Sequence, residues 1–246
     1  MKAIILAAGL GSRLGAITQH VPKPLIQVNN KPIIQYQLEA LYQAGIFHCT
    51  IVIGHLGSQL REQLGDTFSN VKIEFVENPL YRSTNNIYSL WLALKEAGED
   101  DIMLLEGDLV FEAGLIIDLV DNGKTDVAVA DRFSGSMNGT AILTEGDWIS
   151  SLILRDQQTS DFDYNNALKT VNIYVLSNML VSTKLLPAVA EHVLVGRVGD
   201  FYESVLSELI HDKQIKMSVQ SSEPHRWIEI DTQADLAEAQ YLFHES

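Results

Sequence analysis

Short apolar runs alternate with amphipathic stretches along the first half of the chain. A strand buried on both faces reads as a nearly continuous apolar run, whereas a helix repeats its apolar residues every three to four positions. Such alternation is typical of βα units around a sheet with parallel strands. The runs predict strands at 2–8, 49–54, 71–76 and 101–106, and the periodic stretches predict helices at 32–44 and 84–97.

Local signals mark the ends of the two predicted helices. Pro32 favours a helix start, because its fixed backbone angle suits the first turn, and Gly45 follows the last periodic residue. The second helix opens at Asn85 and Asn86, whose side chains are suited to capping, and Gly98 ends it. Both predicted helices therefore have a start signal and a stop signal in the sequence.

The second half of the chain is richer in short, β-branched runs. These predict strands at 125–130, 139–144, 149–154, 169–176 and 215–219, and helices at 182–194, 199–211 and 232–244. We expect one α/β domain over residues 1–246, with a mixed, mainly parallel central sheet and a small β-rich lobe at about 125–175.

Length and composition agree with one folded domain. The chain has 246 residues, of which 46% are hydrophobic, enough for a sizeable core. No apolar stretch approaches the roughly 20 residues that span a bilayer. Met1 leads directly into a predicted strand rather than a signal peptide. We therefore expect a cytoplasmic protein without a membrane partner.

The formal net charge of −15 argues against general binding of nucleic acid or anionic membranes, since both need a basic surface. An acidic protein that binds a polyanion must supply cations locally. Two unit charges 4 Å apart interact by about 4 kcal/mol at an effective dielectric near 20, so a few cations outweigh a diffuse negative surface. Arg13, Lys23 and a divalent metal ion are the candidates.

Cys49 is the single cysteine, which excludes a disulfide within one chain and a multi-thiolate metal site. It lies in a strand-like run with Ile51, Val52 and Ile53. A catalytic nucleophile is one interpretation, but this apolar setting favours a buried structural cysteine.

Two short motifs follow the first predicted strand: Gly9-Leu10-Gly11-Ser12-Arg13-Leu14 and Pro22-Lys23-Pro24-Leu25. A strand that ends in a glycine turn brings backbone N–H groups close to a phosphate. Arg13 adds a planar fork of donors and Lys23 a compact charge. The glycine turn alone is also consistent with a tight βα turn without a ligand.

A dinucleotide-binding interpretation fits these motifs less well. It requires a third glycine closer than Gly15, and an acidic residue after the second strand, where Gly54 and His55 stand.

Carboxylates are the second chemical signal. Asp108 follows the predicted strand 101–106, and the carboxyl ends of parallel strands are where α/β folds bind ligands. Glu229 and Asp231 are two residues apart in a strand-like segment, which places both side chains on one face. Carboxylate oxygens suit Mg²⁺. The alternatives are a solvated turn at Asp108 and a helix cap at Asp231.

The first 34 residues resemble the nucleotidyltransferase superfamily, whose members activate sugar phosphates and related phosphate esters. Members begin with a strand, a G-x-G-x-R-L loop and a P-K-P-L segment, in the order and spacing found here. The resemblance implies a Rossmann-like nucleotidyltransferase domain that binds Mg²⁺ through Asp108, Glu229 and Asp231.

The same resemblance implies roles for the glycine loop and the lysine. Arg13 is expected to bind the β- and γ-phosphates, and Lys23 to lie between the α-phosphate and the acceptor. Asp108 is expected to contact the nucleotide as well as the metal ion. The remaining nucleotide-binding residues implied for this loop and its strand are Leu6, Ala8, Gly9, Gly11 and Ser12.

Further segments are similar to cytidylyltransferases that act on phosphocholine and on 2-aminoethylphosphonate. They are Thr84-Asn85-Asn86-Ile87-Tyr88-Ser89-Leu90, the W-x-E-I-D ending at 227–231, Asp131-Arg132 and Met137-Asn138-Gly139-Thr140. Asn85 and Asn86 are then expected to read the cytosine base. Asn138 stands where the phosphonate group is expected to carry Asp.

For the acceptor we expect Lys23, Asp131, Asn138 and Tyr174 to form the binding site, with the β-rich lobe shaping it. A carboxylate and an aromatic face suit a cationic head group.

The sequence thus predicts a cytidylyltransferase that moves CMP from CTP to a small phosphate or phosphonate and releases pyrophosphate, with Mg²⁺ as cofactor. Its expected partners are CTP and the phosphorylated acceptor, and nucleic acid is not among them. A homodimer is possible from the sequence and is left undecided. The alternatives are a sugar-1-phosphate nucleotidyltransferase using UTP or dTTP, a dinucleotide-dependent oxidoreductase, a glycosyltransferase, and a non-catalytic nucleotide-binding regulatory module.

Overall fold

The computed structural model describes residues 1–133 and 137–244, and in this part of the chain a ten-stranded sheet carries helices on both faces. The strands are β1 Lys2–Ala7, β2 Gln27–Val28, β3 Lys31–Pro32, β4 His48–Ile53, β5 Thr67–Phe68, β6 Val71–Glu77, β7 Ile102–Glu106, β8 Leu109–Phe111, β9 Val127–Arg132, β10 Ala141–Glu145, β11 Trp148–Ile153, β12 Leu168–Leu176, β13 Ser218–Ser221 and β14 Trp227–Glu229. The helices are α1 Ile33–Gln43, α2 Gly57–Leu64, α3 Asn86–Lys95, α4 Ala113–Asp121, α5 Asn178–Leu180, α6 Leu186–Leu194, α7 Tyr202–His211 and α8 Gln233–Leu242.

The central sheet has the strand order β10-β11-β13-β9-β12-β7-β1-β4-β6-β5 among the described residues. Strands β7, β1, β4 and β6 pair in parallel, because a helix or a long loop connects each to the next. Strand β12 pairs antiparallel with both β7 and β9.

The sheet is mixed, as predicted, with one parallel block, β7-β1-β4-β6, and mostly antiparallel pairs beyond β7. Among the described residues outside that block, the pairing is parallel only between β9 and β13. The chain passes through β10, β11 and β12 without an α-helix, and direct connections of this kind favour antiparallel pairs.

Apolar residues alternate between the two faces of β1 and build two cores. Ile5 packs with α1, α2 and α4 on one face, and Ile4 packs with α3, α6 and α7 on the other. Both isoleucines are fully buried. Burying a side chain of this size is worth about 1.5–3 kcal/mol, so β1 is firmly held beneath the loop that follows it.

A third, smaller core fixes the C-terminal helix. Ala239 and Phe243 on and after α8 pack with Val28, Val110 and Ile230. This contact holds β14, and with it the segment that carries Glu229 and Asp231, against the main domain.

Most predicted elements are present within one to four residues of their expected ends. Two helices, α2 and α4, are not predicted from the sequence. Helix α2 has a weak apolar pattern because only three of its residues are buried, and α4 follows β8 after a single residue. The strand expected at 215–219 is β13, three residues later, where its polar residues pair with β9.

The β-rich stretch at about 125–175 consists of β9 to β12, which extend the central sheet. Residues 134–136 of this stretch lie outside the described part of the chain. The expectation that this β-rich stretch shapes the acceptor site stays a prediction.

No helix in the described residues combines the length and apolar character needed to cross a membrane.

Candidate active site

A cavity of about 420 Å³ opens where β1 and β7 end side by side. In the sheet, β4 lies on one side of β1 and β7 lies on the other. Where the connections from neighbouring strands lead to opposite sides in this way, a crevice forms at the carboxyl ends of the strands. The loop after β1, the loop after β7, the start of α3 and the segment after β14 all contribute to its lining.

Two glycines allow the backbone to form this crevice. Gly11 has φ +62°, and a Cβ there would lie 2.9 Å from the methyl group of Thr18. A Cβ on Gly107 would lie 2.9 Å from the carbonyl oxygen of Leu6, to which the Gly107 N–H donates a hydrogen bond. Larger residues at either position would push apart the two loops that face the cavity.

Lys23 lies at the centre of an ion-paired cluster that we define as Arg13, Lys23, Asp108 and Asp231. Its Nζ is 2.7 Å from Asp108 Oδ2 and 2.8 Å from Asp231 Oδ1. Arg13 donates to the same Oδ1 of Asp231 at 2.8 Å. Burial lowers the pKa of Lys23, but the two carboxylates outweigh it and raise that pKa above its usual value. Lys23 is therefore a permanent cation in this setting.

The acidic side chains of this region fit a divalent cation. Asp108, Glu229 and Asp231 each offer an oxygen within 4.8 Å of the others. Asp108 Oδ1 is buried and has no hydrogen-bond partner among the described residues. Burial raises the pKa of Glu229, Lys169 at 3.3 Å lowers it, and the negative charges of Asp108 and Asp231 raise it further. A cation among these oxygens would offset their repulsion.

The helix-cap alternative for Asp231 is wrong. Thr232 caps α8, because its hydroxyl accepts a hydrogen bond from the Asp235 N–H. The Asp235 carboxylate in turn accepts from the backbone of Asp231 and Thr232. This reciprocal cap orients the segment and leaves the Asp231 carboxylate to Arg13 and Lys23.

A second group, the carboxylate–amide cluster, consists of Asn86, Glu106 and Glu203. The Asn86 Nδ2 donates to Glu106 Oε1 at 3.1 Å and to Glu203 Oε2 at 3.2 Å. Its Oδ1 accepts from the Tyr202 N–H at 2.9 Å, which ties α3 to the first turn of α7. Among the described residues, neither carboxylate pairs with a lysine or arginine.

Burial dominates the electrostatics of this cluster. It raises the pKa of Glu203 to about 7, although the hydrogen bond from Asn86 opposes the shift. It also raises the pKa of Glu106 well above its usual range, and the nearby charges of Asp108 and Glu203 add to that. When Glu106 or Glu203 is charged, it has no ion-pair partner among the described residues, and a positively charged group of a ligand would supply one.

Asn172 contributes an unusual backbone position to the cavity wall. It lies in an irregularity of β12 between Thr170 and Tyr174, with φ +61°. Its side chain is 8% exposed, and its Oδ1 has no hydrogen-bond partner among the described residues. A left-handed asparagine with an unpaired oxygen is costly, and such features concentrate at binding sites.

The cavity brings together most of the residues proposed from the sequence. Its lining includes Leu6, Ala8, Gly9, Gly11, Ser12, Arg13, Lys23, Asn85, Asn86, Asp108, Glu229 and Asp231. These residues come from four separate segments, so their convergence depends on the fold.

Three acceptor residues proposed from the sequence do not line the cavity. Asp131 accepts hydrogen bonds from Trp227 Nε1, Ser222 Oγ and the Arg132 N–H, which leaves it a structural role. Tyr174 is fully buried. Asn138 is exposed and stands outside the cavity lining.

That Asn86 reads the base stays a prediction, and in this structure its amide contacts the carboxylate–amide cluster. Asn85 caps α3 and donates weakly to Gly199 O at 3.4 Å.

Sequence reasoning missed several residues of the cavity wall. Glu106 directly precedes the Gly107-Asp108 pair, so its position was within reach of the same argument. Glu203 begins a helix far along the chain, and Asn172 lies in an otherwise β-branched strand. Only the tertiary fold places these two in the cavity.

Comparison with known proteins shows which proteins this chain is similar to. Residues 3–210 match the family described as MobA-like NTP transferase domain. CMP-5'-(3-aminopropyl)phosphonate synthase of Streptomyces rubellomurinus is 33% identical over 246 residues, covering 99% of this chain and 39% of that protein. Choline-phosphate cytidylyltransferase of Streptococcus pneumoniae is 46% identical over 99 residues, covering 39% of this chain and 40% of that protein. The matched regions thus span about two fifths of these relatives.

A solved structure has the same fold. CTP:phosphocholine cytidylyltransferase from Streptococcus pneumoniae superposes with a TM-score of 0.79 at 23% identity, covering 99% of both chains.

Proposed function

The chain belongs to the MobA-like NTP transferase domain family, and from this premise we propose that it transfers CMP from CTP to a small phosphate or phosphonate. Pyrophosphate is the second product. The reaction named for both relatives supports the choice of CTP and of a small phosphorylated acceptor. The observation that carries the proposal is the convergence of Lys23, Asp108 and Asp231 at 2.7–2.8 Å beside the glycine loop.

The proposed reaction is an in-line displacement at the α-phosphorus of CTP. An oxygen of the acceptor's phosphoryl group forms a bond to that phosphorus, and the bond between the α-phosphorus and the bridging oxygen of pyrophosphate breaks. The acceptor oxygen is already ionised near neutral pH, so no general base is required. The task of the protein is therefore to align two anions and stabilise their charge.

Lys23 and Arg13 carry most of this task among the cationic residues of the cavity. Lys23 is proposed to stabilise charge on the reacting phosphates, because its ammonium is buried and permanently protonated. Arg13 is proposed to bind the departing pyrophosphate, because its guanidinium is 63% exposed at the side of Lys23 and can form a bidentate contact. Both cations must exchange a carboxylate partner for a phosphate when the nucleotide binds.

Asp108, Glu229 and Asp231 are proposed to hold Mg²⁺. When bound, this ion neutralises charge between the phosphates of the nucleotide and the acceptor. Asp108 offers a buried oxygen without a partner, and the reciprocal cap at Thr232 orients the strand end that carries Asp231.

A pyrophosphate-release assay tests the proposal. Purified protein with Mg²⁺ is combined with CTP, UTP, dTTP, ATP or GTP, and with a panel of small phosphates, phosphonates and hexose phosphates. We expect release with CTP and a small phosphate or phosphonate. Activity only with UTP or dTTP and a hexose phosphate would overturn the assignment in favour of a sugar-1-phosphate enzyme.

A further inference from the structure

The carboxylate–amide cluster has no role in the chemistry proposed above, although it lines the same cavity. Its two carboxylates are bridged by one amide, and the Asn86 Nδ2 supplies both hydrogen bonds. Burial disfavours the charged forms of both carboxyl groups, and a bound cation would favour the anions instead. The cluster therefore has the charge and the free acceptor capacity of a cation-binding site.

Its geometry favours an organic cation over a second metal ion. Among the described residues, the acidic group arranged for a metal ion is Asp108, Glu229 and Asp231, and the two glutamates of the cluster are not part of a similar triad.

Asn172 supplies a second, independent observation. Its Oδ1 is buried in the wall of the same cavity without a hydrogen-bond partner. Its backbone has φ +61°, in the left-handed region that few non-glycine residues adopt. A ligand that donates a hydrogen bond to this oxygen would satisfy it.

The aromatic side chains of the lining distinguish between kinds of ammonium. A quaternary ammonium is recognised by a cage of aromatic faces. Among the described lining residues, the aromatic ones are Tyr81 and Phe201. The Tyr81 ring already packs against His55 and Arg82, and Phe201 is 48% exposed. A primary ammonium instead needs acceptor oxygens for three N–H donors, and carboxylate and amide oxygens are what this wall provides.

We propose that Glu106, Glu203 and Asn172 bind a primary ammonium on the acceptor, so that the acceptor is an aminoalkyl phosphonate or phosphate rather than a quaternary ammonium ester. This inference rests on the proposed transfer of CMP from CTP. Asn86 acts as a positioning residue, because it fixes both glutamates and the start of α7.

Two matched acceptor series test the inference. The phosphonate series is 2-aminoethylphosphonate, its N-trimethyl analogue and ethylphosphonate, and the phosphate series is phosphoethanolamine, phosphocholine and ethyl phosphate. With CTP and Mg²⁺, we expect kcat/KM for each primary amine to exceed that of both matched analogues by on the order of 100-fold. The series with the higher kcat/KM identifies phosphonate or phosphate as the group whose oxygen attacks the α-phosphorus of CTP.

Variants connect this preference to the cluster. Glu203→Gln should lower kcat/KM for the primary amines by on the order of 100-fold, mainly through KM, and leave the neutral acceptors within about threefold. Glu203→Asp should restore part of the loss. Glu191→Gln, an exposed change on α6, is the control and should match the unchanged protein.

The outcomes separate the inference from the proposed function. Quaternary acceptors used as well as primary amines, or a Glu203→Gln loss that is equal for charged and neutral acceptors, would overturn the inference alone. Pyrophosphate release with none of the six acceptors would overturn the proposed transfer and the inference together. Thermal unfolding of each variant confirms that the comparison is made on folded protein.

Discussion

The ion-paired cluster and the carboxylate–amide cluster line one cavity, yet they balance their charges in different ways. In the first, Lys23 and Arg13 already neutralise Asp108 and Asp231 at hydrogen-bond distance. In the second, the amide of Asn86 bridges Glu106 and Glu203, and among the described residues neither glutamate forms an ion pair with a lysine or arginine. A ligand of the first cluster must exchange partners with the protein, whereas a ligand of the second adds a missing charge. The part of the cavity at the ion-paired cluster is therefore suited to polyanions, and we call it the polyanion end. The part at the carboxylate–amide cluster is suited to a cation, and we call it the cation end.

Removing a metal-ligand candidate gives the largest expected effect and tests the polyanion end directly. Asp108→Asn keeps the shape of the side chain but removes its charge, so turnover should fall by about 10³-fold or more while the protein stays folded. Steady-state pyrophosphate release measures this. Asp121→Asn, an exposed change on α4, should leave turnover unchanged. Near-normal turnover of Asp108→Asn would exclude Asp108 from the catalytic machinery.

Lys23→Met breaks the charge balance of the ion-paired cluster without altering the second cluster. Turnover should fall by about 10²–10³-fold, because one buried donor to the reacting phosphates is lost. In the same variant, free of nucleotide, Mn²⁺ should bind about tenfold more tightly, since the ammonium no longer competes for Asp108 and Asp231. Titration of the free protein with Mn²⁺ measures the second effect. Weaker Mn²⁺ binding than in the unchanged protein would contradict the exchange of partners.

Glu203→Gln sharpens the comparison through its pH dependence. Burial holds the pKa of Glu203 near 7, against 4.5 for the free group, so the folded chain keeps a proton that the unfolded chain releases in this window. The free energy of unfolding must then decrease as pH rises from 4.5 to 7, and the amide variant lacks this decrease. At pH 8 the variant should be more stable by on the order of 2–3 kcal/mol, relative to the difference at pH 4.

Thermal or urea unfolding at the two pH values measures this difference. Glu229, Lys169 and Glu106 also face this region, and the carboxylates among them titrate in both proteins. The pH dependence is therefore read as the difference between variant and unchanged protein. The same stability difference at pH 4 and pH 8 would show that Glu203 ionises normally.

Substitution of Asn172 gives the smallest expected effect on stability and tests the left-handed backbone in the wall of the cavity. Asn172→Gly can adopt φ +61° without a Cβ, so its free energy of unfolding should stay within about 1 kcal/mol of the unchanged protein. Asn172→Ala should be about 1–2 kcal/mol less stable than Asn172→Gly, because a Cβ is disfavoured in this region. Urea unfolding measures both. Equal stability of the two variants would contradict the left-handed backbone.

The polyanion end was more accessible to sequence reasoning than the cation end, for a physical reason. Lys23 and Asp108 follow β-strand and glycine-turn signals that are local in sequence, and parallel pairing brings the ends of β1 and β7 together. Glu203 and Asn172 carry no local signal, because their positions depend on how α7 and β12 pack against the sheet. Contacts between segments that are distant in sequence determine the positions of these two residues.

The errors have the same origin. Tyr174 and Asp131 were proposed for the acceptor from their residue types, but β12 turns Tyr174 into a core shared with Tyr202, and Trp227 engages Asp131. The alternation of apolar residues predicts which face of a strand is buried, not which buried neighbour it meets. The first half of the sheet is parallel because α-helices connect its strands, whereas β10, β11 and β12 follow one another without an α-helix and pair antiparallel.

The irregular backbone at Asn172 also limits how this protein could be re-engineered. Glycine and aspartate, like the asparagine present, adopt that local geometry at modest cost, so a first library at position 172 needs two variants. Glycine would enlarge the cavity, and aspartate would add a third carboxylate to the proposed ammonium site. Screening those few chains against bulkier or more highly charged amines would show how far acceptor range can be retuned at a single position.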